Sequence, residues 1–136
     1  MSHDPAFIDM VEQLREEGGN RYPREAYAFV VAALGETVRQ LPPERLADEA
    51  RRHLSGRELV VGALRFARAR FGPLASTVFA EWGVNRSEDI GRIVFDLVAA
   101  GHLSARPEDT MADFMDGPDL LAVLAEPDPP APVGGR

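Results

Sequence analysis

The sequence predicts an all-α protein, a compact bundle of five or six helices whose C-terminal half can adopt a winged-helix-like arrangement. Apolar residues recur at spacings of three and four along most of the chain, which is the period of an amphipathic helix. Prolines and glycines separate these apolar stripes, and a serine–glutamate capping pair opens one of them. The helical stripes leave almost no room for strands.

Three helices are predicted before residue 54. The first covers residues 4–17 and the second runs from 23 to about 40, with a wide apolar face typical of a central, buried helix. Gly18-Gly19 and Pro42-Pro43 end these two helices. Residues 44–53 are expected to form a short third helix. The apolar stripe of the first helix is Phe7, Ile8, Val11 and Leu14.

A capping box predicts the start of the fourth helix. The Ser55 hydroxyl can accept a hydrogen bond from the Glu58 N–H, and the Glu58 carboxylate can accept one from the Ser55 N–H. The helix then continues to Phe71, because Gly72-Pro73 breaks it. Its predicted core face is Leu59, Val60, Ala63, Leu64, Ala67 and Phe71.

The C-terminal half holds two longer helices and a short one. A helix over 73–82 ends at Gly83, a natural left-handed residue, and Ser87 is expected to cap the helix that follows, over 87–100. A last short helix is predicted over 118–125.

Length and composition predict one helical domain, residues 4–125, followed by a disordered Pro/Gly-rich tail, residues 126–136. The chain has no cysteine, which excludes disulfides, thiolate nucleophiles and cysteine-based metal sites. The start of the chain shows no basic and apolar leader, and no apolar run is long enough for a membrane span. We therefore expect a cytoplasmic protein with no membrane partner.

The charge is acidic overall and unevenly distributed. All 15 basic residues are arginine and the formal net charge is −7, which disfavours nucleic acid as a partner. Residues 45–72 nevertheless carry seven arginines against three acids, whereas residues 108–128 carry seven acids and no base.

Five segments together carry a family resemblance: RYPREAY at 21–27, HLSGREL at 53–59, FGP at 71–73, WGV at 82–84 and SEDIGRIVF at 87–95. The chain resembles, over about residues 7 to 115, a family of small bacterial proteins first described as restricted to planctomycetes and verrucomicrobia. That family has no established activity, so the resemblance implies a shared fold and leaves the function open.

The best candidate for a binding surface is an arginine face on the fourth helix. Arg57, Arg65 and Arg68 lie within about 80° of one another on a helical wheel, opposite the core face. Arginine forks suit carboxylate or phosphate, so we expect these three side chains to be exposed together and to hold an acidic or phosphate-bearing partner. The alternatives are a solvated face and pairing with the protein's own acidic tail.

A helix-turn-helix is the second candidate. The order of helix 73–82, turn and helix 87–100 fits, and residues 101–114 could supply a wing. The second helix is expected to expose Glu88, Asp89, Arg92 and Asp96, and its carboxylates would be repelled by a phosphate backbone.

Trp82 and Arg92 form a secondary candidate interface, although Trp82 before a glycine is more typical of the core. His53 and His102 lack partners at metal-ligand spacing, and no nucleophile elbow or phosphate-binding glycine loop occurs. We therefore predict no catalytic, metal or cofactor site. The sequence favours a non-enzymatic interaction or adaptor domain with a protein partner. A winged-helix-like, nucleic-acid-associated regulator is the alternative, and an enzyme without a recognisable motif is the third class.

Overall fold

The computed structural model describes Asp9, residues 22–104 and residues 109–126. Across residues 22–104 and 109–126 the chain forms α-helices and 3₁₀ turns and contains no strand, so the all-α class is confirmed. The first predicted helix apart from Asp9, and the predicted tail apart from Glu126, lie outside the described residues.

The helices follow one another through short connections. The helices are α1 (Arg24–Arg39), α2 (Pro43–Leu46), α3 (Gly56–Phe71), α4 (Ala75–Trp82), α5 (Ser87–Ala99) and α6 (Leu120–Ala125). A 3₁₀ turn over Gly72–Leu74 lies between α3 and α4, and a second over Met111–Phe114 lies between α5 and α6.

Helix α1 is the central element, as its wide apolar face indicates. Pro23 is the N-cap of α1, with φ of −71° fixed by its ring and an extended ψ of 159°, and a proline at this position removes no intrahelical hydrogen bond. One side of α1 packs on α3 and another on α5. Its buried residues are Ala26, Tyr27, Phe29, Val30 and Ala33.

The short helix predicted over residues 44–53 is wrong beyond its first turn, because α2 ends at Leu46. The Arg45 side chain turns back and donates to the carbonyl oxygens of Arg51 at 2.5 Å and His53 at 3.2 Å. Both carbonyls belong to the last turn of the predicted helix, where they would lack intrahelical partners, so the guanidinium satisfies acceptors that the helix would leave open. The side chain of Arg45 therefore stabilises a loop where local propensity favours a helix.

Helices α3 and α4 follow the prediction closely. Gly72 has φ of 56° and turns the chain out of α3, and Gly83 ends α4 with φ of 76°. Both values lie in the left-handed region, which glycine adopts without steric strain. Of the predicted core face of α3, Leu59, Val60, Ala63 and Ala67 are buried, whereas Leu64 and Phe71 are half-buried.

Ser87 does not cap α5 as predicted. It is the first helical residue, it is buried, and its hydroxyl donates to the carbonyl of Phe114 at 2.6 Å. The Asp89 carboxylate satisfies the helix start instead, because its Oδ2 accepts from the N–H groups of Asn85 and Arg86, each at 3.0 Å. The helix thus begins with an acidic residue in its first turn, where the helix dipole favours negative charge.

No wing forms in the described part of the segment predicted to supply it. Residues 101–104 and 109–114 contain bends and a 3₁₀ turn but no strand. Phe114 is buried against Gly91 of α5, where an added Cβ would lie 2.7 Å from the phenyl ring. This close approach holds the segment on the bundle, so it cannot project as a hairpin.

Helix α6 closes the bundle. The Asp119 carboxylate accepts from the N–H groups of Leu121 and Ala122, which caps the helix. Leu120 and Leu124 are buried and pack the helix on α4.

Candidate protein-interaction surface

The start of α3 is set by the predicted capping box. The Ser55 Oγ accepts from the Glu58 N–H at 3.1 Å, and Glu58 Oε1 accepts from the Ser55 N–H at 2.9 Å. This arrangement confirms the capping box and fixes where the exposed side chains of α3 point. Arg57, Val61 and Arg65 follow at four-residue intervals and are all exposed.

Arg68 does not share the exposed face predicted for the three arginines. It is half-buried, and its Nη2 donates to the carbonyl oxygen of Val123 in α6 at 2.7 Å. The C-terminal carbonyls of a helix lack intrahelical partners and attract cations, so α6 draws this guanidinium away from solvent. The candidate face is therefore reduced to Arg57 and Arg65.

A groove of about 640 Å³ runs between the C-terminal half of α1 and the N-terminal half of α3. Arg57 and Arg65 line it together with Val61, which is 49% exposed. We call this hollow the seam groove. Its apolar lining residues include Leu41, Leu54, Val61 and Phe66.

Glu58 also lines the seam groove, but its carboxylate is already paired with the Arg45 guanidinium. Arg45 donates to both carboxylate oxygens, from Nη1 to Oε2 at 2.5 Å and from Nη2 to Oε1 at 2.9 Å. This bidentate pair, with the Ser55 cap, lowers the pKa of Glu58 to about 2 despite partial burial. Glu58 therefore does not compensate the two exposed arginines, and within residues 22–104 and 109–126 neither Arg57 nor Arg65 has an ion-pair partner.

A second hollow continues the same side of the α1–α3 pair toward Trp82. It has a volume of about 190 Å³, and we call it the aromatic hollow. Trp82 is half-buried and contacts the rings of Phe29, Phe71 and Phe79, with centroids 5.4, 5.8 and 5.9 Å away. The predicted core role of Trp82 thus describes only part of the side chain, since the rest lines a surface hollow.

The two hollows lie along one seam. On α1 the lining positions of both hollows recur every three or four residues, which places them on one side of that helix, whereas on α3 the aromatic hollow is lined only by Arg70 and Phe71 in the last turn. Phe29 belongs to the aromatic hollow and Phe66 to the seam groove, and their ring centroids are 5.3 Å apart. Arg70 lies at the junction, with its guanidinium carbon 5.7 Å from the centre of the Phe66 ring.

The carboxylates predicted to be exposed on the helix 87–100 are engaged instead. Asp89 accepts from the Tyr22 hydroxyl at 2.6 Å, and Asp96 accepts from the Tyr27 hydroxyl at 2.7 Å. Both carboxylates are half-buried, as is Glu88, and only Arg92 of the four residues is exposed. Burial, together with the Asp89 hydrogen bond, raises the pKa of Tyr22 to about 12.

Arg92 forms an ion pair with one of these carboxylates, and its Nη1 lies 3.1 Å from Asp89 Oδ1. The face of α5 that a helix-turn-helix would present to DNA is thus partly occupied by the start of α1. The two residues of the secondary candidate have different neighbours: Trp82 lines the aromatic hollow, whereas Arg92 contacts Asp89 and Tyr22.

The polar pair formed by His53 and Asp109 was not predicted from the sequence. His53 Nε2 lies 2.6 Å from Asp109 Oδ2, although 56 residues separate them in the chain. Both side chains are mostly buried and line a cavity of about 220 Å³ beside α3 and α5. No local spacing could have indicated this pair, because only the return of the chain after α5 brings Asp109 to His53.

The exposure of Val61 was also not predicted, although the helical period of α3 indicates it. It lies midway between Arg57 and Arg65 on the helical period, so an exposed arginine face predicts an exposed valine. The groove beside it could not be foreseen, because its other wall comes from α1.

These features define an all-α domain with an arginine-edged surface groove between two packed helices. Comparisons of the chain with protein-family models, curated proteins and solved structures find no match. The family resemblance carried by the sequence segments therefore stays a prediction. In the described ranges no helix is both long and apolar enough to cross a membrane, and no three His, Asp or Glu side chains are grouped to hold a metal ion.

Proposed function

We propose that this chain is a non-enzymatic, helical protein-interaction domain whose seam groove receives an acidic segment of a protein partner. The observation that carries the proposal is the exposed Arg57–Val61–Arg65 edge of α3, which borders an open groove with apolar walls. The resemblance to a family of small bacterial proteins leads us to propose a bacterial setting.

The chemistry of the groove favours a segment with one apolar and one acidic side. Leu41, Val61 and Phe66 offer apolar contact, and the arginines offer planar forks that match carboxylates. Eight residues separate Arg57 from Arg65, which corresponds to about 12 Å along the helix axis. A partner helix with acidic side chains seven or eight residues apart would meet both guanidinium groups.

The charge of the chain favours a protein partner over nucleic acid. The formal net charge of −7 produces a field that repels phosphate backbones. The α5 face required for a winged-helix regulator is partly covered by Tyr22 and Tyr27 and carries Asp89 and Asp96. These observations support the adaptor hypothesis over the regulator hypothesis.

The proposal is tested by purifying the tagged chain from its native cells, as the wild type and as the Arg57→Gln/Arg65→Gln variant. Arg51→Gln/Arg52→Gln is the matched control, since it removes the same charge from two exposed loop residues. We expect a protein that accompanies the wild type and the control to be lost from the variant. Binding measured with that purified protein should weaken about tenfold or more in the variant and should weaken as salt rises.

Two results would contradict the proposal. One is a partner that binds the wild type and the Arg57→Gln/Arg65→Gln variant equally well and without salt dependence, which would place the interface elsewhere. The other is binding of nucleic acid that is lost with rising salt and is unaffected by these substitutions, which would favour the regulator. Circular dichroism spectra of all three proteins should coincide, so that lost binding is not confused with lost folding.

A further inference from the structure

The two sides of the seam carry opposite charges. On the α3 side, Arg57 and Arg65 line the seam groove and Arg70 lines the aromatic hollow, and we call these three residues the basic edge; on the α1 side, Glu36 lines the groove and Glu25 lines the hollow, and we call these two residues the acidic edge. Within the described ranges Glu25 has no ion-pair partner, and Glu36 contacts only the neighbouring Arg39 and Gln40. The Arg39 side chain is 79% exposed, and such a surface pair contributes little to stability.

Contacts between α1 and α3 show that the helices run antiparallel. Phe29, near the start of α1, contacts Phe66 and Phe71, near the end of α3, whereas Thr37 at the other end of α1 meets Gly62. In this register Arg70 lies within about one helical turn of the level of Glu25, and Arg65 lies within about one helical turn of the level of Glu36. Each acid on one side of the seam is therefore nearly opposite an arginine on the other.

We propose that the partner at the seam is a second copy of this chain, related to the first by a two-fold axis parallel to the seam. This rotation places α3 of one copy over α1 of the other without shifting either along the axis. The basic edge of each copy then faces the acidic edge of its partner, with Arg65 opposite Glu36 and Arg70 opposite Glu25. A two-fold axis across the seam would instead bring like-charged edges together.

The floor of the seam supports close approach of a second helix pair. Ala28 and Ala32 of α1 and Ala69 of α3 present small side chains along it, between the aromatic hollow and the seam groove. Helices with small residues at their contact approach closely, and antiparallel neighbours form four-helix arrangements. Val61 would be covered in this arrangement, which removes an exposed apolar side chain from water.

The size of the surface sets the expected strength. The helix pair presents a face roughly 24 Å long and 20 Å wide, which is smaller than the about 800 Å² per partner of a standard interface. We expect a weak dimer that dissociates in the micromolar range. Because the copies share a net charge of −7, association is best measured near 0.15 M salt, where long-range repulsion is screened beyond about 8 Å.

The test is a charge exchange followed by sedimentation velocity from about 1 µM to about 1 mM. The basic-edge variant is Arg65→Glu/Arg70→Glu and the acidic-edge variant is Glu25→Arg/Glu36→Arg. We expect the dissociation constant of each variant alone to rise about 30-fold or more, because like charges meet twice in its dimer. An equimolar mixture of the two variants should dimerise nearly as well as the wild type, since one variant's glutamates then face the other's arginines.

The matched control is Arg51→Glu/Arg52→Glu, which changes the net charge as much as the basic-edge variant and should dimerise like the wild type. A wild-type chain that stays monomeric at about 1 mM would overturn the inference. So would a dimer that both edge variants leave intact, or a mixture that fails to recover.

This inference rests on the proposed function, and the two can fail separately. If the chain is monomeric but Arg57→Gln/Arg65→Gln abolishes binding of a different protein, the interaction domain stands and only the second copy is excluded. If the chain is monomeric and no protein is lost from that variant, both fail.

Discussion

At the scale of single residues, side-chain hydrogen bonds decide where the helices of this chain begin. Ser55 and Glu58 form a reciprocal cap, whereas Ser87, expected to do the same, is drawn into the core by the carbonyl of Phe114. When a hydroxyl can hydrogen-bond to either of two groups, it bonds to the one that is more deeply buried, because leaving a buried polar group unpaired costs more. A carbonyl buried beside Ser87 thus competes successfully with the local cap.

The Ser55 cap has a measurable effect. Ser55→Ala should lower the free energy of unfolding by about 1 kcal/mol, because the Glu58 N–H loses its acceptor. Ser55→Gly should cost only a few tenths of that, since glycine leaves the N–H open to water. Equilibrium urea denaturation of the three proteins measures both differences. An alanine variant as stable as the wild type would contradict the role of the cap.

The Arg45–Glu58 pair predicts a pH dependence. The pKa of Glu58 is about 2 in the folded protein and near its ordinary value of 4.5 when unfolded. The stabilisation from this lowered pKa is therefore fully present above about pH 4.5 and disappears as the pH falls toward 2. Glu58→Gln keeps a capping side chain but removes the charge.

We therefore expect Glu58→Gln to be less stable than the wild type at pH 6 and nearly as stable at pH 2.5. Denaturant unfolding at a series of pH values tests this, with Glu44→Gln on exposed α2 as the control. A difference that stays constant over the whole series would show that the charge of Glu58 contributes nothing specific.

At the scale of elements, glycines mark where helices touch. Gly91 lets the Phe114 ring lie directly on α5, whereas Gly35 on α1 has no heavy atom within 4 Å of the position of an added Cβ. Both glycines are helical, so alanine would be preferred at each by intrinsic propensity. Tertiary contact alone separates them.

Gly91→Ala should destabilise the protein by about 1–3 kcal/mol, because the new methyl group overpacks against Phe114. Gly35→Ala should instead stabilise it by about 0.5–1 kcal/mol, because it lowers the cost of ordering the helix at an exposed position where the new methyl group meets no neighbour. Thermal and urea denaturation of the two variants measure the opposite signs. Equal effects at both positions would contradict the packing of the 3₁₀ turn on α5.

At the scale of the whole molecule, one surface of the bundle differs from the rest. The seam between α1 and α3 combines two hollows, an exposed valine and edges of opposite charge, whereas Asp89 and Asp96 of α5 accept hydrogen bonds from Tyr22, just before α1, and Tyr27 within it. The internal bonds of α5 hold the bundle together, and the seam is left available for contact. This division of roles underlies both proposals made for the protein.

The end of the domain predicts a contrast between α6 and the residues after it. Leu120→Ala should cost about 2–5 kcal/mol, because Leu120 is fully buried against α4. Deleting residues 127–136, which the sequence predicts to be a disordered tail, should leave the melting temperature nearly unchanged. Calorimetry of both proteins tests the boundary predicted near residue 125. A drop of many degrees on deletion would show that the segment contributes to the fold.

The sequence by itself determined the all-α class, the Ser55 cap, the glycine ends of α3 and α4, and the exposure of Arg57 and Arg65. Each depends on residues within about one helical turn, where backbone geometry and hydrogen bonding are local.

Only the tertiary structure decided the environments of Arg68, Ser87, Asp89 and His53, and the loop that follows α2. Their partners lie 6 to 67 residues away along the chain. No local spacing specifies which of many polar groups will meet when helices pack. The groove beside Arg57 and Arg65 was likewise decided by the tertiary structure, because one of its walls comes from α1 and the other from α3.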